Sequence, residues 1–165
     1  MPDVQTELPN LPIGNYSSRD EKVPLRVLHI DDEPDIREIV AVTFSLDSDF
    51  VLRSCASGKE GLAAASEYRP DLILLDVVMP FMDGLVTLGH LQENPRTADI
   101  PVVLMTAREG ELERSMALGA AGVICKPFDP MTLAALARSH IRRAGDLATS
   151  VTLQRSARGG AHAIS

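Results

Sequence analysis

Carboxylates, a hydroxyl and an ammonium group stand at the ends of short apolar runs in this chain. Asp31 and Asp32 follow LRVLHI, Asp76 follows LILL, Thr106 follows IPVVLM and Lys126 follows GVIC. A charge at the end of a buried strand is costly unless something pairs with it. Carboxylates converging in one pocket repel, and raise one another's pKa values unless a counter-charge is present. A hard divalent cation resolves that conflict. Magnesium suits it, because it accepts one or two carboxylates and keeps water and phosphate oxygens as its other ligands. Lys126 brings positive charge on a flexible stem, able to pair with Asp76 or with a phosphate oxygen. Thr106 offers a hydroxyl donor. An aspartate flanked in this way is equipped for in-line phosphoryl transfer onto its carboxylate, with metal and lysine neutralising charge on the transferring oxygens. The product would be an aspartyl phosphate.

The elements that must position these groups are legible in the pattern. Leu25–Ile30 reads as a strand, and Pro34 opens a helix in which Ile36, Ile39, Val40 and Phe44 recur at helical spacing. Phe50–Arg53 is a second strand. Ser57 and Glu60 have the spacing of a capping box at the head of a helix through Leu62, Ala65 and Tyr68. Leu72–Leu75 is an unbroken apolar run, the pattern of a strand buried on both faces. Leu85, Leu88 and Leu91 mark a third helix, and Ile100–Met105 a fourth strand. Leu112, Met116 and Leu118 fall in a fourth helix that Gly119 would cap. Gly122–Cys125 is a short fifth strand. The last helix carries Leu133, Leu136, His140 and Ile141, with Arg138, Arg142 and Arg143 placed near its expected end. Strands alternating with helices imply an α/β fold, a parallel sheet covered on both faces. Ligands of such sheets sit beyond the carboxyl ends of the strands, where every polar group named above falls.

Length and composition bound the rest. The chain has 165 residues, 45% hydrophobic and 24% charged, which fits one domain plus tails. Residues 1–23 are read as a flexible N-terminal arm, with docking as a strap through Leu8, Leu11, Ile13 and Tyr16 as the alternative. Residues 24–144 form the expected domain, and 145–165 a flexible C-terminal tail, with extension of the last helix for a few residues as the alternative. No stretch has the roughly 20 apolar residues of a membrane helix, and the first residues lack signal-peptide character. Cys55 and Cys125 lack metal-type spacing, so a cytoplasmic location is expected, with no membrane partner. A net charge of −7 argues against nucleic acid as a partner. His29 and His140 read as core or boundary residues, His90 and His162 as exposed. Met79, Met82, Met105 and Met116 read as core or loop filler, and Cys125 as a buried small hydrophobe.

Asp31-Asp32, Asp76 with Met79-Pro80 and Asp83-Gly84, Thr106-Ala107 and Lys126-Pro127-Phe128 together resemble the receiver domain of two-component response regulators. The resemblance spans about Leu25 to Arg143. It implies a flavodoxin-like receiver fold with a five-stranded parallel sheet in the order 2-1-3-4-5. It implies that Asp76 accepts phosphate from a histidine kinase or a histidine phosphotransfer protein. Asp32, Asp76 and the main-chain carbonyl of Val78 would bind Mg2+ directly and Asp31 mainly through water, while Thr106 and Lys126 would grip the phosphoryl group. The Lys126–Pro127 bond would be cis. Such a domain is not an enzyme beyond its own phosphorylation and dephosphorylation. The segment after Gly145 is too short for a DNA-binding unit, so the expected output is protein contact, with a target protein or as a homodimer, through the helix 4/strand 5/helix 5 face. Helix one is the family's usual docking surface for the donor.

Departures from the family pattern qualify the switch. The position three before the lysine, usually Tyr or Phe, is Val123, so a signal must leave by a shift of the helix-four region without a large rotamer flip. Val78 lacks an amide to position an attacking water, and Arg108 sits two after Thr106. The resemblance makes these two positions tune the lifetime of the phosphoryl group, and a long-lived one is expected. Two other readings compete. A pseudo-receiver would bind partners without phosphorylation, but such modules typically lose one of the site residues that are intact here. A magnesium-dependent phosphatase with an aspartate nucleophile wants a second aspartate where Val78 stands.

Overall fold

The computed structural model describes residues 22–107 and 111–159. The elements run β1 (Leu25–Ile30), α1 (Pro34–Ser45), β2 (Phe50–Cys55), α2 (Gly58–Tyr68), β3 (Leu72–Asp76), α3 (Gly84–Glu93), β4 (Val102–Thr106), α4 (Glu111–Ala117), β5 (Gly122–Cys125) and α5 (Pro130–Gly159). All strands pair in parallel, in the order β2-β1-β3-β4-β5. The doubly wound sheet with order 2-1-3-4-5 is therefore as expected.

Period two along the strands divides the core. Leu28, Ile30, Ile73, Leu75, Val102 and Leu104 pack with Ala64, Ala65, Leu88 and Leu91 on the α2/α3 face. Val27, Leu72, Leu74, Val103 and Met105 pack with Val40, Phe44, Leu133 and Ala137 on the α1/α5 face. Each fully buried Val, Leu, Ile, Phe or Met side chain among them contributes about 1.5–3 kcal/mol of transfer free energy. The central strand β3 is buried along its whole length, which is why its sequence shows no polar alternation.

Local signals act as their chemistry requires. Ser57 Oγ accepts from the Glu60 N–H at 3.2 Å, and Glu60 Oε2 accepts from the Ala56 N–H at 3.1 Å, closing the cap of α2 one residue earlier than the standard box. Gly119 ends α4 with φ +87°, and the Ala120 N–H returns to the Ser115 carbonyl at 3.0 Å.

Several expectations are corrected. Ile39 is 41% exposed, because Val40 and Phe44 take the sheet-facing side of α1 and leave Ile39 on its flank. There Ile39, Val42, Leu46 and Met131 line a groove of about 670 Å³ between α1 and the start of α5. Met116 and Leu118 are exposed, since the buried side of α4 is taken by Ser115. Cys125 is exposed rather than core, because it ends the edge strand at the rim of the sheet. Helix α5 continues to Gly159, so 145–159, read as tail, is helix; no proline interrupts the stretch. Arg138 therefore lies well inside the helix. It clamps Asp47 at 2.8 Å and Asp49 at 2.9 Å and sits 4.8 Å from the Phe50 ring centroid. Residues 1–21 of the arm, Arg108 and His162 lie outside the described residues.

Candidate functional site

The register of the sheet assembles the site. Ile30 is paired with Leu75, so Asp31 and Asp76, each one residue further on, emerge side by side. Asp31, Asp76 and Lys126 continue the period-two sequence of Val27, Leu74 and Ile124, and so belong to the α1/α5 side of the sheet. β4 lies between β3 and β5, and the Lys126 N–H donates to the Thr106 carbonyl at 2.8 Å. Asp31, Asp32, Asp76, Thr106 and Lys126 thus gather at one edge from separate strands.

Lys126 is the hub of the cluster. Its Nζ lies 2.8 Å from Asp31 Oδ2, 3.1 Å from Asp76 Oδ1 and 3.3 Å from Glu33 Oε1. Burial works against its charge, but the hydrogen bond and charge of Asp31, with those of Asp76, outweigh it and hold the ammonium up at about 12. The Lys126–Pro127 peptide bond is cis.

Asp76 is 3% exposed, and burial followed by the nearby charge of Asp31 pushes its carboxyl up to about 6. Lys126 and a hydrogen bond from the Val78 backbone oppose that rise. Asp31 is fully buried and held by several hydrogen bonds. Its carboxylate accepts from the Glu33 N–H at 2.9 Å, and its carbonyl accepts from Arg37 at 2.8 Å. Asp32 is only partly buried, yet its Oδ1 is shielded from solvent and has no hydrogen-bond partner among the described residues. Such an orphaned acceptor is costly unless a cation or donor meets it.

One ligand oxygen from each of Asp31, Asp32 and Asp76 lies within 4.8 Å of the others. An all-oxygen, mostly anionic donor set with one orphaned oxygen fits a hard divalent ion such as Mg2+. The side chain of Val78 points to solvent at 54% exposure, so only its backbone can serve the pocket. Thr106 is 1% exposed at the end of β4. Val123, where an aromatic is usual, is half-buried against the α2/α3-side core.

Sequence reasoning missed part of this. Glu33 shares Lys126, and Arg37 ties α1 to the Asp31 loop. His29 is core as expected, but its Nε2 lies 3.8 Å from Asp31 Oδ2, and burial pushes its pKa down to about 4 despite that carboxylate. The signal available for His29 was its place two residues before Asp31 on the same strand face.

Fold and site define a class, doubly wound sheets with an acidic pocket at the topological switch point. The family model of the response regulator receiver domain matches residues 27–138, and the chain belongs to that family. Relatives include the DNA-binding dual master transcriptional regulator RpaA of Synechocystis, 35% identical over 72% of this chain and 49% of its own length. The probable transcriptional regulatory protein TcrX of Mycobacterium tuberculosis is 35% identical over 74% of this chain and 52% of its own. The chain spans about half the length of these curated relatives. Among solved structures, chemotaxis protein CheY4 of Vibrio cholerae matches with a TM-score of 0.66 and 30% identity, covering 71% of this chain and 98% of that one. The receiver domain of NtrX from Brucella abortus matches at 0.63 and 28%, covering 70% and 98%. Receiver domains are phosphoacceptors of two-component signalling and bind Mg2+ in an acidic pocket. Among the described residues no helix is long and apolar enough to cross a membrane.

Proposed function

We propose that this chain takes a phosphoryl group from a phosphohistidine protein onto Asp76 and signals through protein contacts. The observation that carries the proposal is the buried Asp76 carboxylate held 3.1 Å from Lys126 beside Asp31 and the orphaned Asp32 oxygen. Asp31, Asp32, Asp76 and the Val78 carbonyl would hold Mg2+, which supplies charge neutralisation for the transferring oxygens. The Asp76 carboxylate forms the new oxygen–phosphorus bond as the nitrogen–phosphorus bond of the donor breaks. Lys126, already poised on Asp76, follows the phosphoryl oxygens, and Thr106 donates its hydroxyl to one of them. The apolar groove along α1 supports docking of the donor there, beside the pocket that Asp31 and Asp32 open. Exposed Met116 on α4 and Leu118 in the turn just after it, with Leu136 on α5, support output through the α4–β5–α5 face, to a target or a second copy. With Val123 behind that face, a shift of α4 carries the signal.

Intact-protein mass spectrometry after incubation with acetyl phosphate and Mg2+ tests the assignment. One added phosphate on the wild type and none on Asp76→Asn is the expected result. A stably phosphorylated Asp76→Asn protein would overturn it.

A further inference from the structure

The loop between β3 and α3 holds an aromatic side chain that the fold does not use. Phe81 is fully exposed, and its φ is +65°. The Met82 N–H donates to the Pro80 carbonyl at 2.7 Å, which closes a three-residue γ-turn centred on Phe81. A positive φ at the centre of such a turn is the strained form, and a bulky residue there is a genuine outlier. Glycine would relieve the backbone at no packing cost, because the ring is fully exposed and no described residue buries it. A residue that neither fills the core nor suits its backbone points to a role outside the folded chain.

The loop presents this ring rigidly. The Gly84 N–H donates to the Val77 carbonyl at 2.8 Å, pinning the ends together, and a Cβ on Gly84 would lie 2.2 Å from the Asp76 carbonyl. Met79, 7% exposed, anchors the loop inward, while the Asp83 side chain caps α3 by accepting from the Val86 N–H at 2.8 Å. Exposed Val78, two residues after Asp76, adds apolar surface to the same loop. The loop starts at Asp76 itself, so anything delivering a group to that carboxylate as part of a folded protein passes this lip.

We infer that Phe81 is the docking anchor of the loop, inserting into an apolar notch beside the phosphohistidine of the donor protein. The inference rests on the phosphoacceptor reading of Asp76. A rigid aromatic on a short stem loses little entropy on burial, which is why such residues dominate interface energetics. A small donor has no notch for the ring, so Phe81 sets the preference for protein donors and leaves the chemistry of Asp76 unaltered.

The test compares wild type, Phe81→Gly and Phe81→Leu with two kinds of donor. One is acetyl phosphate. The other is the fastest wild-type donor among all histidine kinases and phosphotransfer proteins of the source organism, each phosphorylated on histidine. Phe81→Gly should melt at the wild-type temperature or above, and its labelling by acetyl phosphate should stay within about twofold of wild type. Its second-order transfer rate from the protein donor should fall about tenfold, the size of an interface anchor's loss, with Phe81→Leu restoring part of it. Unchanged transfer from the protein donor overturns the inference, as does an equal loss with both donors, or a wild type that accepts from acetyl phosphate but from no protein. A wild type labelled by neither donor overturns the phosphoacceptor reading as well.

Discussion

Replacing Asp76 by Asn should stabilise the metal-free protein, and by an amount that depends on pH. The Asp76 carboxyl is raised from 3.8 to about 6 by burial and by Asp31. The folded state therefore holds a proton on Asp76 that the unfolded chain has already released. Between those two values the folded state binds more protons, so stability falls as pH rises. Below 3.8 both states are protonated and nothing is lost; above 6 the loss is complete. At about 1.36 kcal/mol per tenfold change in proton affinity, it amounts to roughly 3 kcal/mol. Asn keeps the shape without the charge, and Lys126 retains Asp31 at 2.8 Å and Glu33 at 3.3 Å. Urea unfolding in EDTA from pH 4 to 8.5 should show the variant more stable by roughly 2–3 kcal/mol above pH 7, the difference shrinking towards zero near pH 4. Mg2+ should narrow the gap by stabilising the wild type through binding. A variant less stable than wild type at pH 8 in EDTA, or a difference flat in pH, would refute the claim that buried charge at Asp76 is held against the fold.

Other expectations follow from single contacts. Lys126→Met removes the cation shared by Asp31 and Asp76, and should destabilise the metal-free protein by about 3 kcal/mol by leaving buried carboxylates unpaired, with Mg2+ restoring part of it in thermal melts. Gly84→Ala drives a methyl to 2.2 Å from the Asp76 carbonyl and 2.7 Å from Val77 Cα. Backbone cannot yield cheaply there, so a loss of about 2–3 kcal/mol is expected by urea titration, together with slower labelling by acetyl phosphate. Arg138→Ala breaks the clamp on Asp47 and Asp49 and the stack on Phe50. It should cost about 1 kcal/mol, and less in high salt, because the pairs are partly exposed.

Much of the fold and the chemical site is written in local pattern. The all-apolar run of β3 announces a strand buried on both faces, Ser57 with Glu60 announces a helix start, and Gly119 announces a stop, because each signal depends on a few neighbouring residues. Alternation of strands and helices forces parallel pairing, and parallel pairing brings Asp31, Asp76, Thr106 and Lys126 to a common edge wherever the chain crosses over. The strand order itself rested on family resemblance, since no short-range pattern distinguishes one order of parallel strands from another. Contacts between partners distant in sequence depend on how the elements pack. Arg138 sits mid-helix and reaches back 91 residues to Asp47. Glu33 shares Lys126 across 93 residues. The exposure of Ile39, Met116 and Cys125 depends on which helix flank or sheet rim each one occupies after packing, and an apolar side chain carries no mark of that. The φ of Phe81 is of the same kind: Phe prefers the opposite sign, and the turn exists because the loop is pinned at Val77 and Gly84.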